Sequence, residues 1–194
     1  MTKKIDFYFD FISPYSYLAY KKVKTLQKNR EININYKPIL LGGLHNLKGI
    51  TPPAFIKSKL NFMINDCNMV AKKHNIQFTF NSKFPINSIK LMRGFLIIDT
   101  KTKDSYLDIM FDAYWINNLN IEDEEVLNKL INKCGVDKKN FYKEIENEKV
   151  KDKLKNITQK AYDDEIFGAP TFVVNNKIFW GQDRLEYALD EYYN

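Results

Sequence analysis

Asp10-Phe11-Ile12-Ser13-Pro14-Tyr15-Ser16 joins two segments of different periodicity. Ahead of it, Ile5, Phe7 and Phe9 recur at every second residue, the spacing of a strand with one buried face. Behind it, Leu18, Ala19, Val23 and Leu26 fall on one side of a helix. Ser13 stands where such a helix takes its N-cap, and Pro14 where the first helical N–H would have no partner anyway. The stretch therefore predicts a hydroxyl at a helix N-terminus, just beyond the C-terminal end of a strand. Unpaired amides and the helix dipole make that a favourable place for an anion.

Outward from this turn the pattern changes twice. A second strand is predicted at 32–36, where Ile32, Ile34 and Tyr36 alternate with asparagines, and Pro38 with Gly42-Gly43 ends it. From about 52 to 166 the spacing is almost wholly helical. It predicts helices over 54–73 and 86–98, then one carrying Leu107, Met110, Phe111 and Tyr114. Next come one with Val126, Leu127, Leu130, Ile131 and Cys134 ahead of Gly135, one capped by Asp137, and one with Val150, Leu154, Ile157 and Ala161. Strands return at Thr171-Phe172-Val173-Val174 and Lys177-Ile178-Phe179-Trp180, joined by an Asn175-Asn176 turn. Gly181 breaks the second strand, and Asp183 with Glu186 predicts a capping box for a last helix carrying Leu185, Ala188 and Leu189. The order β-α-β, helical block, β-β-α predicts an α/β fold with one mixed sheet and a helical subdomain.

Composition excludes several classes. The 194 residues are 44% hydrophobic and 28% charged, the balance of a globular chain with a sizeable core. The net charge of +6 comes from 30 basic against 24 acidic residues, scattered without a dense Lys/Arg block, so nucleic acid is not expected as a partner. A positive balance still attracts small anions. No apolar run is long enough to span a membrane, and Asp6 and Asp10 interrupt the segment after Lys3 and Lys4, so neither a membrane nor a signal peptide is expected. Cys67 and Cys134 sit singly at apolar helical positions, where buried free thiols are expected; no disulfide framework or metal site is, and the expected compartment is the cytoplasm.

Thiol-redox proteins place Cys-x-x-Cys at such a strand-to-helix turn, and here both sulfur positions are serine, Ser13 and Ser16. The segment Asp6-Phe7-Tyr8-Phe9-Asp10-Phe11-Ile12-Ser13-Pro14-Tyr15-Ser16-Tyr17-Leu18 resembles the opening of 2-hydroxychromene-2-carboxylate isomerases and kappa-class glutathione transferases. Phe167-Gly168-Ala169-Pro170-Thr171-Phe172 and Phe179-Trp180-Gly181-Gln182-Asp183-Arg184-Leu185 match the same family near its end. Gly49-Ile50-Thr51-Pro52-Pro53 matches more loosely, and Phe84-Pro85-Ile86-Asn87-Ser88 with Met92-Arg93 also looks like the family. The resemblance runs through the chain in register. It implies a DsbA-like, thioredoxin-like domain from residues 1–48 and 167–194, with 49–166 as an inserted all-helical domain.

The resemblance also implies a ligand, glutathione, and a homodimer. By position, Ser13 matches the serine that hydrogen-bonds the glutathione sulfur, and a donor at a helix N-terminus lowers a thiol pKa. Pro170 matches a cis-proline, and the backbone of Ala169 would pair with the cysteinyl part as an added strand. Gln182 and Asp183 match positions holding the γ-glutamyl end, and Lys59 a lysine that pairs with the glycyl carboxylate. Three positions depart from the family: Ile50 replaces an asparagine near the Pro-Pro pair, and Met69-Val70 replaces an Arg-Trp pair.

The implied activity is a glutathione-dependent isomerase of the 2-hydroxychromene-2-carboxylate type, acting on a small electrophilic, aromatic substrate. A kappa-like transferase or peroxidase and a non-enzymatic glutathione- or peptide-binding module are the alternatives. A disulfide oxidoreductase is not, since neither Ser13 nor Ser16 forms a disulfide. Plainer roles stand beside each residue: Ser13 as a helix cap, Pro170 as a trans turn, Asp183 as an N-cap, and Lys59 as one solvated lysine among many. His45 and His74 are expected at the surface, Trp115 and Trp180 in core or pocket wall. Tyr15 and Tyr17 are expected either to line a substrate pocket or to pack on the helical block.

Overall fold

The computed structural model describes residues 3–29 and 31–194. Strand β1 (Ile5–Phe9) leads through the Ser13 turn into helix α1 (Pro14–Asn29), and β2 (Ile34–Pro38) returns parallel to β1, with Ile5 opposite Ile34 and Phe9 opposite Pro38. The second strand thus lies two residues beyond its expected start: Ile32 is buried, but the ladder begins where Ile34 meets Ile5. Near the C-terminus, β3 (Thr171–Val174) pairs antiparallel with β1, and β4 (Lys177–Trp180) antiparallel with β3, giving the order β2-β1-β3-β4. Asn175 and Asn176 both take left-handed φ values, +49° and +63°, as a two-residue hairpin turn requires.

Helix α2 (Leu41–Lys48) is not expected from the sequence, because Gly42-Gly43 reads as a breaker. Its first turn is held from outside. Asp10 accepts the Leu41 N–H at 2.8 Å, and Thr158 Oγ1 accepts the Leu40 N–H at 3.0 Å. Both partners are remote in sequence, so local propensity is silent about them. The helical block follows: α3 (Lys57–Lys73), after a 3₁₀ turn at Pro53–Phe55, then α4 (Ile89–Ile97), α5 (Lys103–Trp115), α6 (Glu124–Lys133), α7 (Lys138–Ile145) and α8 (Glu148–Asp163). Asp123, Asp137 and Asn147 cap α6, α7 and α8 through their side chains, as expected for Asp137. Helix α4 starts later than expected: residues 77–88 run as an irregular arm whose Asn81 amide donates to the Tyr114 and Leu119 carbonyls.

The last helix, α9 (Leu185–Tyr193), corrects the expected capping box. A 3₁₀ turn at Gln182–Arg184 precedes it, Arg184 holds the cap position, and the Asp183 carboxylate makes no cap hydrogen bond.

Two apolar layers sandwich the sheet. On one face Phe7, Phe9 and Phe172 meet Tyr17 and Tyr20 of α1, Leu185 and Leu189 of α9, and Phe95 and Phe111 of the helical block. Phe7 stacks on Phe172 with centroids 4.8 Å apart, and Phe9 meets Phe95 edge-on at 5.3 Å. Burying each such ring contributes about 1.5–3 kcal/mol. On the other face Tyr8, Ile39 and Leu44 pack with Ala161 and Ile166. Helix α8, the last of the span expected to form the insertion, is therefore also a layer of the sheet. Among the described residues, no helix is long and apolar enough to cross a membrane.

Candidate functional site

The turn after β1 is tied by its own first residue. Asp10 is fully buried, its carbonyl accepts the Ser13 N–H at 3.1 Å, and its carboxylate accepts the N–H of Ile12 at 3.1 Å. Burial raises the Asp10 pKa, while hydrogen bonds from Leu41, Ser88, Ile12 and Phe11 oppose the rise. This anchor joins the Ser13 turn to the start of α2. Sequence reasoning assigns Asp10 no role, since nothing local marks a carboxylate as buried.

Ser13 caps α1 as expected: Oγ accepts the Ser16 N–H at 3.1 Å, and its carbonyl receives the Tyr17 N–H. Its hydroxyl hydrogen goes elsewhere, to the Ala169 carbonyl oxygen at 2.9 Å. The Ala169–Pro170 peptide is cis, as the resemblance implied. Ser16, in the second sulfur position, is buried and its Oγ has no hydrogen-bond partner. Cys67 and Cys134 are both buried and free; burial pushes their thiols up to about 12 and about 11, so neither is a thiolate at neutral pH.

Strand pairing carries the site from Pro170 to the start of α9. Thr171 pairs with Trp180, and the Pro170 carbonyl accepts the Gly181 N–H at 3.0 Å. Gly181 has φ +112°, and a Cβ there would lie 2.5 Å from Asp183 Oδ1, so this turn requires glycine. Gln182 is buried, with Oε1 accepting from Nζ of Lys22 on α1. Asp183 is exposed, with Oδ2 3.5 Å from Arg184 Nη1. The structure thus brings Ser13, Ala169, Pro170, Gln182 and Asp183 onto one continuous path.

Lys59 is exposed on α3, and no ion pair to it is found among the described residues. Two turns further on, Asp66 and Cys67 lie against Tyr15, whose hydroxyl pKa is raised first by burial and then by these two groups. Residues seven apart share a helix face, so Lys59 rises from the α3 face that meets Tyr15 beside Ser13.

Other expectations resolve differently. Tyr17 is core: fully buried, its hydroxyl donates to the Gln77 carbonyl, and it stacks on Phe78. Trp115 is core, with Nε1 donating to the Phe11 carbonyl at 2.9 Å. Trp180 is 53% exposed and packs on Phe167 rather than in the core. His45 was expected at the surface but is only 8% exposed in α2, and burial lowers its pKa. Among the described residues no group of three or more His, Cys, Asp or Glu side chains is arranged to hold a metal. Cavities of about 970 Å³ and 500 Å³ lie away from Ser13, one between the outer sheet face and α8, the other between α2, α4 and α8.

Comparisons with known proteins place the chain in a family and a fold. A family model described as a DSBA-like thioredoxin domain matches residues 4–193. A 2-hydroxychromene-2-carboxylate isomerase from Sphingobium xenophagum is 28% identical over 189 residues, covering 96% of both chains. Glutathione S-transferase kappa 1 of Caenorhabditis elegans is 28% identical over 204 residues, covering 96% of this chain and 89% of that one. A solved structure of 2-hydroxychromene-2-carboxylate isomerase superposes with a TM-score of 0.88 at 26% identity, covering 96% of this chain and 92% of the other.

Proposed function

The chain belongs to the DSBA-like thioredoxin domain family, and from that premise we propose that it is a glutathione-dependent isomerase of the 2-hydroxychromene-2-carboxylate type. One observation carries the reading: Ser13 Oγ stands at the N-terminus of α1, 2.9 Å from the Ala169 carbonyl oxygen beside cis-Pro170. A cysteinyl backbone laid along Ala169 as an added strand brings its side chain to Ser13. The residues present therefore fit glutathione.

Glutathione supplies a thiolate for reversible addition to an unsaturated carbon of a small aromatic carboxylate. Ser13 turns its hydroxyl hydrogen from Ala169 to the ligand sulfur, and the positive end of the α1 dipole supports the same charge. Asp183 accepts from the γ-glutamyl ammonium, Gln182 binds beside it, and Lys59 pairs with the glycyl carboxylate. Tyr15, half-buried at the mouth of the turn, is a neutral wall at physiological pH because its pKa is raised. The reading includes a homodimer and a cytoplasmic location. Two buried, unbonded cysteines support a reducing compartment.

A second reading uses the same site for net transfer of glutathione. Resemblance to the kappa transferase supports it.

Calorimetric titration with reduced glutathione at several pH values tests the proposal. Binding to the wild type with proton release, and binding without it to Ser13→Ala, is the expected result. No binding to the folded wild type overturns the glutathione reading. Product analysis on a chromene carboxylate then separates the two activities, because an isomerase consumes no glutathione.

A further inference from the structure

Helix α1 carries a lysine that the mechanism above does not use. Lys21 and Lys24 reach the helical block, where Lys21 pairs with Asp112 at 2.7 Å and Lys24 with Asp104 and Asp108 at 3.4 and 3.6 Å. Lys22 points the other way. Its Nζ donates to Gln182 Oε1 and lies 3.4 Å from the Gln182 carbonyl oxygen. Both acceptors are neutral, and among the described residues Lys22 has no carboxylate within ion-pair distance.

That arrangement has a cost and a consequence. Lys22 is half-buried, and burial lowers its pKa. Asp183 and Glu186 are near enough to oppose that shift and Lys73 to add to it, yet neither carboxylate closes on the ammonium. A partly desolvated positive charge stands beside the turn that begins α9, with carboxylates nearby but none in contact. An ammonium has donors only, so Gln182 must turn Oε1 toward Lys22 and its Nε2 hydrogens away. Gln182 is itself buried, which leaves its amide little freedom to reverse.

We propose that Lys22 is a positioning residue for the γ-glutamyl end of glutathione, fixing the Gln182 amide so that its N–H groups face the ligand carboxylate. This rests on the glutathione reading of the site.

The test is glutathione affinity by calorimetry, with the pKa of the bound thiol followed by its ultraviolet thiolate absorbance, on Lys22→Met, Lys22→Arg, Gln182→Met and the Lys22→Met/Gln182→Met pair. Lys22→Met is expected to weaken binding about tenfold, the loss of one charge-assisted contact. Lys22→Arg recovers most of it, the bound-thiol pKa stays at the wild-type value, and Lys22→Met adds nothing in the Gln182→Met background. Wild-type affinity in Lys22→Met, or an undiminished effect in the Gln182→Met background, overturns the proposal. So does a bound-thiol pKa that moves as it does in Ser13→Ala. If Lys22→Met does not fold, Lys22→Ala against Lys22→Arg gives the same reading, the donor to Gln182 removed and kept. A wild type that binds no glutathione overturns the site reading itself, whereas wild-type binding with Lys22→Met unaffected overturns this inference alone.

Discussion

Ser13 and Ala169 are 156 residues apart in sequence, and a single hydrogen bond from the Ser13 hydroxyl to the Ala169 carbonyl oxygen joins them at 2.9 Å. The same oxygen atom of Ser13 caps α1 by accepting the Ser16 N–H. One hydroxyl thus closes a helix and ties the turn after β1 to the segment leading into β3, its neighbour in the sheet, at the place where the proposed function puts the glutathione sulfur.

Ser13→Ala removes both bonds. Loss of the cap costs about 1 kcal/mol of stability, read as a lower Tm in thermal unfolding. Turnover of a proven substrate falls about a hundredfold, the scale of losing one donor to a developing anion. A loss of stability with unchanged turnover would leave Ser13 as a cap and nothing more.

Asp10→Asn tests the anchor under the site. The carboxylate accepts N–H groups from Ile12 and from Leu41 on its two oxygens, and an amide has only one oxygen to offer. The buried donor left over costs about 1–3 kcal/mol, measured by urea unfolding. Asp10 has a raised pKa in the fold, so protonating it contributes stability that is fully present below the unfolded value and lost as pH rises through the folded one. The stability gap between wild type and Asp10→Asn therefore widens on acidification.

His45 gives the opposite slope. Burial lowers its folded pKa below the ordinary value of 6.5, so the unfolded chain takes up the proton first. Its contribution is complete above about pH 6.5 and lost as pH falls toward the folded pKa, at up to about 1.4 kcal/mol per pH unit. His45→Gln is expected to flatten this part of the stability profile. A profile unchanged by the substitution would mean that the imidazole is solvated in the fold.

Two glycine substitutions have opposite signs. A Cβ on Gly94 in α4 would overlap the Tyr106 hydroxyl and lie 2.7 Å from the Phe141 ring, and both side chains are fully buried. Gly94→Ala should cost about 1–3 kcal/mol by overpacking. Gly42 in α2 has nothing within 4 Å of such a Cβ, and Gly42→Ala should stabilise by about 0.5–1 kcal/mol. Both are read from denaturant midpoints at constant slope.

Much of this was legible along the chain. Alternation at Ile5, Phe7 and Phe9 names β1, the Asn175-Asn176 pair names the hairpin, and Ser13-Pro14 names the start of α1. Each rests on periods and turn chemistry that neighbouring residues decide among themselves. The misses share another cause. Helix α2 exists in spite of Gly42-Gly43 because Asp10 and Thr158 supply its first turn with acceptors. Asp183 fails to cap α9 because Gly181 and the Pro170 carbonyl bend the chain into a 3₁₀ turn first. His45 is buried because α2 lies against α8 and the sheet.

By itself, then, the sequence determined the four strands, most of the helices, the caps at Ser13 and Asp137, and that a serine replaces sulfur at the head of α1. Only the tertiary structure decided that this serine reaches Ala169, that Asp10 is buried among amides, and that Lys22 turns toward Gln182. The physical reason is range: periodicity and capping act within a few residues of backbone, whereas a hydrogen bond across the sheet or a desolvated charge depends on which distant segments the packed core brings together.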